Sequence, residues 1–225
     1  PTVDGELQIR GGEFAIAGLP GVISDVNADI TADENELQIK RGVAKFAGGS
    51  VLLIARFPIN GGKFGIAEAA LIGRQLRFSP AEGTSATVDA DLTITMNSQA
   101  SGGPQARLPH ISGDVTLTSA EYTRPFVLDL SVLRGAAQRT VVESYDPTQD
   151  SVVLGPDLNV RATGPIKIHN NLVDVQLGID ARGVQVSGTN QRYGLRGALS
   201  ALPGRRRPLY ANAFDIRRAS IRFDD

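Results

Sequence analysis

The side chains able to do chemistry are few and scattered. His110 in LPHIS and His169 in KIHNN each stand beside turn residues, where an imidazole is a surface group far more often than a general base or metal ligand. Asp89 and Asp91 in VDADL share one strand face and are close enough to hold a calcium ion together. Thr87, Thr93 and Thr95 continue the same polar row, however, so a solvated face is the better reading. Asp33, Glu34 and Glu36 in TADENELQ are read the same way, and the pair Asp224 and Asp225 offers no further partner. NGGKFG (60–65) has the glycines of a phosphate loop without the G-x-x-x-x-G-K-[ST] spacing or a strand-to-helix setting. Neither H-x-x-x-H nor G-x-S-x-G occurs, and with no cysteine there is neither a disulfide nor a Cys-based zinc site. The one basic cluster is Arg205, Arg206 and Arg207 in GRRRP, suited to phosphate head groups or an acidic partner and otherwise a solvated turn. The inventory predicts no enzyme, no cofactor and no metal.

The elements that would position such groups are strands. ATVDADLTITM (86–96) alternates without a slip: Ala86, Val88, Ala90, Leu92, Ile94 and Met96 face one way, and threonines and aspartates the other. At ~3.3 Å per residue this strand is about 36 Å long. Similar alternation marks 3–10, 23–32, 36–40, 114–122, 164–168, 172–181, 183–188, 214–217 and 220–223, with glycine-rich turns between. HNN (169–171) predicts a hairpin between the strands that flank it. Two stretches break the rhythm. AEAALIG (67–73) is read as one or two helical turns, and 134–150 as a long exposed loop.

Composition narrows the class. The chain has 225 residues, a net charge of −1, 25 glycines, no Trp and 5% aromatic residues. Near-neutrality gives no electrostatic footprint for nucleic acid. Ala, Val, Ile and Leu line a surface well but fill a thick core poorly, whereas sandwiches pack large aromatics. No run reaches the ~18 apolar residues that span a bilayer. One β domain over 1–225 is expected, and the chain reads as a piece of something longer.

The run LVDVQLGIDARGVQVSGTNQRYGLRGALSALPGRRRPLYANAFDIRRASIRFDD (172–225) is similar to the C-terminal conserved domain of the TamB family, the translocation and assembly module subunit of Gram-negative envelopes. HISGDVTLTSAEYTRPF (110–126) and GVAKFAGGSVLLIARF (42–57) resemble further segments of the same family, while Asn190–Tyr193 departs from it where a proline is common. The resemblance implies an all-β fold: a long, curved antiparallel sheet forming an open β-taco with an aliphatic concave groove.

It also implies a role and a location. The chain would be a periplasmic segment of an envelope-spanning, AsmA-like bridge-type lipid transfer protein anchored in the inner membrane. It would conduct phospholipid acyl chains between the membranes, chaperone amphipathic β-strands during outer-membrane barrel assembly, or both, with a TamA- or BamA-like outer-membrane insertase barrel as partner. On this reading the groove is lined by Val88, Leu92, Ile94, Val115, Leu117, Ile166, Ile168, Val173, Val175, Leu177, Ile179, Phe214 and Ile216, with Arg205, Arg206 and Arg207 as head-group or partner contacts. The competing expectation is a structural β-helix or sandwich of a surface adhesin with an ordinary packed core. A third reading, a sugar-processing enzyme on a β scaffold, would need a carboxylate pair in a cleft with aromatic platforms, and four Tyr with no Trp argue against it.

Overall fold

The computed structural model describes residues 4–15, 21–79, 81–125, 145–171, 174–202 and 219–224. Fourteen strands form the fold: β1 (Gly5–Phe14), β2 (Ile23–Ala32), β3 (Glu36–Phe46), β4 (Gly49–Asn60), β5 (Lys63–Phe64), β6 (Ile66–Phe78), β7 (Thr84–Asn97), β8 (His110–Tyr122), β9 (Val153–Ala162), β10 (Ile166–His169), β11 (Asp174–Ile179), β12 (Val184–Thr189), β13 (Tyr193–Ala201) and β14 (Ser220–Phe223). Two 3-10 turns, Pro104–Arg107 and Pro147–Gln149, precede β8 and β9. No described helix is long and apolar enough to cross a membrane.

β1 through β4, then β6, β7 and β8, run as an antiparallel meander in which each strand pairs with the next, and β5 folds back onto β4. The register beyond β8 resolves an apparently branched pairing. β9 and β10 lie end to end along one edge of β8, with Leu117 opposite Ala162 and Ala120 opposite Ile166. They are one long strand broken at 163–165. β11 and β12 are likewise one broken strand, antiparallel to the first through Leu177–Ile166 and Val184–Val160. β13 pairs with both halves, and β14 closes the strip against β13.

The sheet is antiparallel as expected apart from one step, the parallel pairing of β8 with β9 and β10. Parallel neighbours need a long crossover, and residues 123–152 supply it. AEAALIG is not helical: it lies inside β6, paired to β4 and β7 along its length. Its alternation is hidden because Ala70 and Ile72 put apolar side chains on the outer face as well. The predicted HNN hairpin is present, with Ile168 opposite Val175. Of the expected loop, 134–144 lies outside the described residues.

Candidate functional site

Directly paired residues share a sheet face, so the register traces which side chains form a continuous surface. One ladder runs Leu7–Ile30–Ile39–Ala55–Ala69–Ile94–Ile111–Leu154 across β1 to β9. The next runs Ile9–Ala28–Gly42–Leu53–Leu71–Leu92–Gly113–Leu158–Val186–Leu195, reaching β13. A third joins Val51, Gly73, Ala90, Val115, Val160 and Val184. This face is aliphatic from one end of the sheet to the other.

Burial gives its shape. Ala28, Ala55, Ala67, Ala90, Leu158, Leu177 and Val184 are buried and all belong to this face, Ala55 at 1% exposure. Yet no described strand lies outside the single sheet and its β5 flap, so no second layer covers them. Only curvature toward this side removes that water, which makes the aliphatic face concave. Most of the larger side chains stay half-buried; Phe46, Leu76, Leu158, Leu177 and Val184 are buried, yet no large described side chain falls below 2% exposure. A packed interior would hold many such residues. Small alanines at the floor and half-covered Leu, Ile and Val on the walls make an open groove. Aromatic pairs stand at strand ends along both rims: Phe57 against Phe64 (6.5 Å between centroids) and Phe46 against Phe78 (6.0 Å). Beside the first pair, an apolar recess of about 280 Å³ opens among Leu37, Phe57, Phe64, Ala67 and Met96.

The curvature has a local cause that recurs. In β6 the backbone bulges at Arg74–Gln75, with Gln75 at φ +54°. Opposite stands Asp89-Ala90-Asp91. The Gln75 N–H donates to Asp89 Oδ1 (2.7 Å), and Arg74 donates to the carbonyls of Gly73 (2.8 Å) and Ala90 (3.1 Å) and to Asp91 Oδ1 (2.8 Å). In β1 the bulge is Arg10–Gly11, Gly11 at φ +65°, opposite Asn27-Ala28-Asp29. The Gly11 N–H donates to Asn27 Oδ1 (3.3 Å), and Arg10 donates to Ile9 and Ala28 carbonyls (2.9 and 3.2 Å) and to Asp29 Oδ1 (2.5 Å). These four bonds are common to the two constellations, and Arg10 adds a fifth to Gln8 Oε1 (3.2 Å). A bulge bends its strand and sharpens its twist, and each clamp sits on the outer face, leaving the groove side smooth. Asp89 and Asp91 stand on the solvated outer face that the sequence predicts, Asp91 exposed, and act there as clamp residues as well.

A second polar cluster ties down the crossover at one rim. Asp150, at 7% exposure, accepts from Tyr145 Oη (2.5 Å) and Gln105 Nε2 (2.8 Å) on Oδ2 and from Thr189 Oγ1 (2.7 Å) on Oδ1. Burial pushes its carboxyl up, but the hydrogen bonds from Tyr145, Thr189 and Gln105 outweigh it and hold the group below its ordinary range. Arg192 stacks over the Tyr145 ring at 5.7 Å. The Asn190 side chain accepts from the N–H groups of Ser151 and Val152 (2.9 and 3.2 Å). Together these bonds fix the start of β9 against the β12–β13 turn.

The expected groove residues fall into two groups on one face. Val88, Leu92, Ile94, Val115 and Leu117 are neighbours across β7 and β8, with Val88 opposite Leu117 and Ile94 opposite Ile111. Ile166, Ile168, Val175, Leu177 and Ile179 form the second group across β10 and β11, joined to the first through Ala120–Ile166. Val173, Phe214, Ile216, Arg205, Arg206 and Arg207 lie outside the described residues. The sequence reading missed Leu53, Leu71, Leu154, Leu158 and Val184, which complete the ladders; their apolar parity was visible once bulges were allowed for. No group of three or more His, Asp or Glu side chains among the described residues could hold a metal. No curated protein and no solved structure matches the chain. A family model described as the TamB C-terminal domain matches residues 43–225.

Proposed function

The chain belongs to the TamB family of Gram-negative envelope transport and assembly modules, and from that premise we propose that its groove carries phospholipid acyl chains along the sheet, across the strands. What supports this reading is the unbroken aliphatic ladder from Leu7 to Leu154, half-buried over most of its length from Ile30 onward and with no covering layer among the described residues. An acyl chain gains ~0.8 kcal/mol per buried CH₂ and needs no hydrogen-bond partner. A wall of Val, Ile, Leu and Ala offers it similar energy at every position, so the chain slides instead of lodging. Polar head groups remain in water above the rims.

On this reading the protein works in the periplasm, with an inner-membrane anchor in another part of the full-length protein and a TamA- or BamA-like barrel as its outer-membrane partner. A strand of a client barrel protein is a second guest. Among the described residues β1 pairs only with β2, and its exposed Leu7 and Phe14 flank a backbone edge that a strand can extend. The purified chain should carry phospholipid detectable by native mass spectrometry. Photo-crosslinkers at Leu92 or Val175 should capture it, whereas those at outward Thr93 should not. Equal labelling of Thr93 and Leu92 would contradict the groove assignment.

A further inference from the structure

The outer face of the last strands carries a concavity that neither the groove nor the clamps use. It has a volume of about 680 Å³ and is built where the chain kinks between β11 and β12. The kink depends on two glycines. Gly183 has φ +79° and Gly197 φ +149°, and a Cβ on Gly197 would stand 2.8 Å from the Gly183 carbonyl oxygen. Their close approach folds the 180–183 turn against β13. Around the hollow stand Arg182 from the turn, Arg196 from β13 and Arg222 from β14, with Asp180 and Asp224.

Three features favour an anion here. The arginines come from three separate segments yet line one hollow. None of them is ion-paired to another described residue, in contrast to Arg10, Arg56, Arg74 and Arg161. Asp180 is engaged by the Ser200 hydroxyl (3.0 Å) and not by a guanidinium. Three arginines less two aspartates leave the lining with one positive charge, which a phosphodiester's single negative charge neutralises. Guanidinium forks also match phosphate oxygens in geometry.

We propose that this hollow is a phosphate-group site, reading the phosphodiester of a lipid head group at a membrane surface, or a free phosphate ester, on the side of the sheet opposite the groove. The proposal stands apart from acyl-chain carriage and survives if that fails.

The test uses the 225-residue chain. Titration with glycerophosphoglycerol by calorimetry, and flotation with phosphatidylglycerol or phosphatidylcholine vesicles, are compared between wild type, R182Q/R196Q/R222Q and a charge-matched control, K40Q/R41Q/K167Q, whose three side chains are exposed elsewhere. The first variant should bind the soluble diester at least about tenfold more weakly, as loss of charged hydrogen bonds implies, and the control should stay within about twofold. Equal loss in both variants reduces the effect to net charge and overturns the site, as does no loss in either. Vesicle binding that soluble diester competes away identifies the lipid as source; diester binding without vesicle binding supports the site and overturns the membrane source. Should the triple variant not fold, Arg222→Gln alone, on the terminal strand, should weaken diester binding about threefold or more, and an unchanged affinity would sink the proposal.

Discussion

Leu92→Asp separates an open groove from a sealed core. Leu92 is half-buried, paired with Leu71 on one side and Gly113 on the other. Full burial of a leucine is worth roughly 1.5–3 kcal/mol, so half of it is about 1 kcal/mol. The added carboxylate faces a groove with no covering layer and reaches water through a small rotamer change, adding at most about 1 kcal/mol more. The expected total is therefore about 1–2 kcal/mol. A charge forced into a closed interior costs upward of about 4 kcal/mol. Urea unfolding followed by far-ultraviolet circular dichroism measures the difference, provided the slope m is unchanged. The same protein, folded, should carry much less phospholipid, because acyl chains now meet a charge on their track. Thr93→Asp, one residue along and outward, should change neither stability nor lipid content. A loss above about 4 kcal/mol, or aggregation of the Leu92 variant alone, would refute the open groove; retained lipid in a folded variant would refute the track.

The clamps, the glycines and the crossover give four more expectations. Asp89→Ala should cost about 1 kcal/mol by removing the acceptor for the Gln75 N–H, while Asp89→Asn, which keeps an oxygen there, should stay within ~0.5 kcal/mol; chemical denaturation distinguishes them. Gln75→Gly should stabilise by roughly 0.5 kcal/mol, since relief of the left-handed conformation (φ +54°) outweighs glycine's added chain entropy. Gly113→Ala should cost about 3 kcal/mol or more by thermal melting, because Gly113 sits at φ +121° and a Cβ would overlap the Asp91 carbonyl oxygen, whereas Gly5→Ala, in open space, should be neutral. Asp150 has a depressed folded pKa, so its contribution is present above the ordinary value of 3.8 and is lost as pH falls through the lower folded value; Asp150→Asn should flatten that part of the acid stability profile, and an identical profile in both proteins would remove Asp150 from it.

The strands whose two faces differ in polarity were readable residue by residue, β7 most plainly. What escaped had physical causes. β4 and β6 carry Leu52, Ile54, Ala70 and Ile72 on the outer face opposite Leu53 and Leu71, so alternation disappears and AEAALIG imitates a helix. Each bulge also flips parity: Leu71 and Gly73 face the groove before Arg74–Gln75, and Leu76 and Phe78 after it. A strict period of 2 reads the second half of such a strand as inside out. The parallel step at β8 had a signal in the thirty-residue separation to β9, which no hairpin requires. The clamps had one too, in the recurrence of Asn27-Ala28-Asp29 and Asp89-Ala90-Asp91, but one triplet alone is indistinguishable from a wetted face. The Asp150 cluster assembles residues 105, 145, 150 and 189, and no local pattern brings those together.

The clamps explain how a sheet without a packed interior keeps its shape. In a sandwich the second layer sets curvature, because side chains of two faces must interlock. Here nothing described presses on the concave side, so the bend has to be specified within each strand. A bulge supplies the bend, and a left-handed residue at its apex would relax without a partner for its N–H. Asp89 and Asn27 provide that partner from the neighbouring strand, while Arg74 and Arg10 reach across to carbonyls and to Asp91 and Asp29. All of this polar hardware stands on the convex side. Along its three ladders the concave side carries only aliphatic residues and glycine, so on the proposed function nothing there would hold a sliding apolar guest, and the alanine floor would leave the depth such a guest needs. On that proposal, specificity of shape and indifference toward cargo are carried by opposite faces of the same strands.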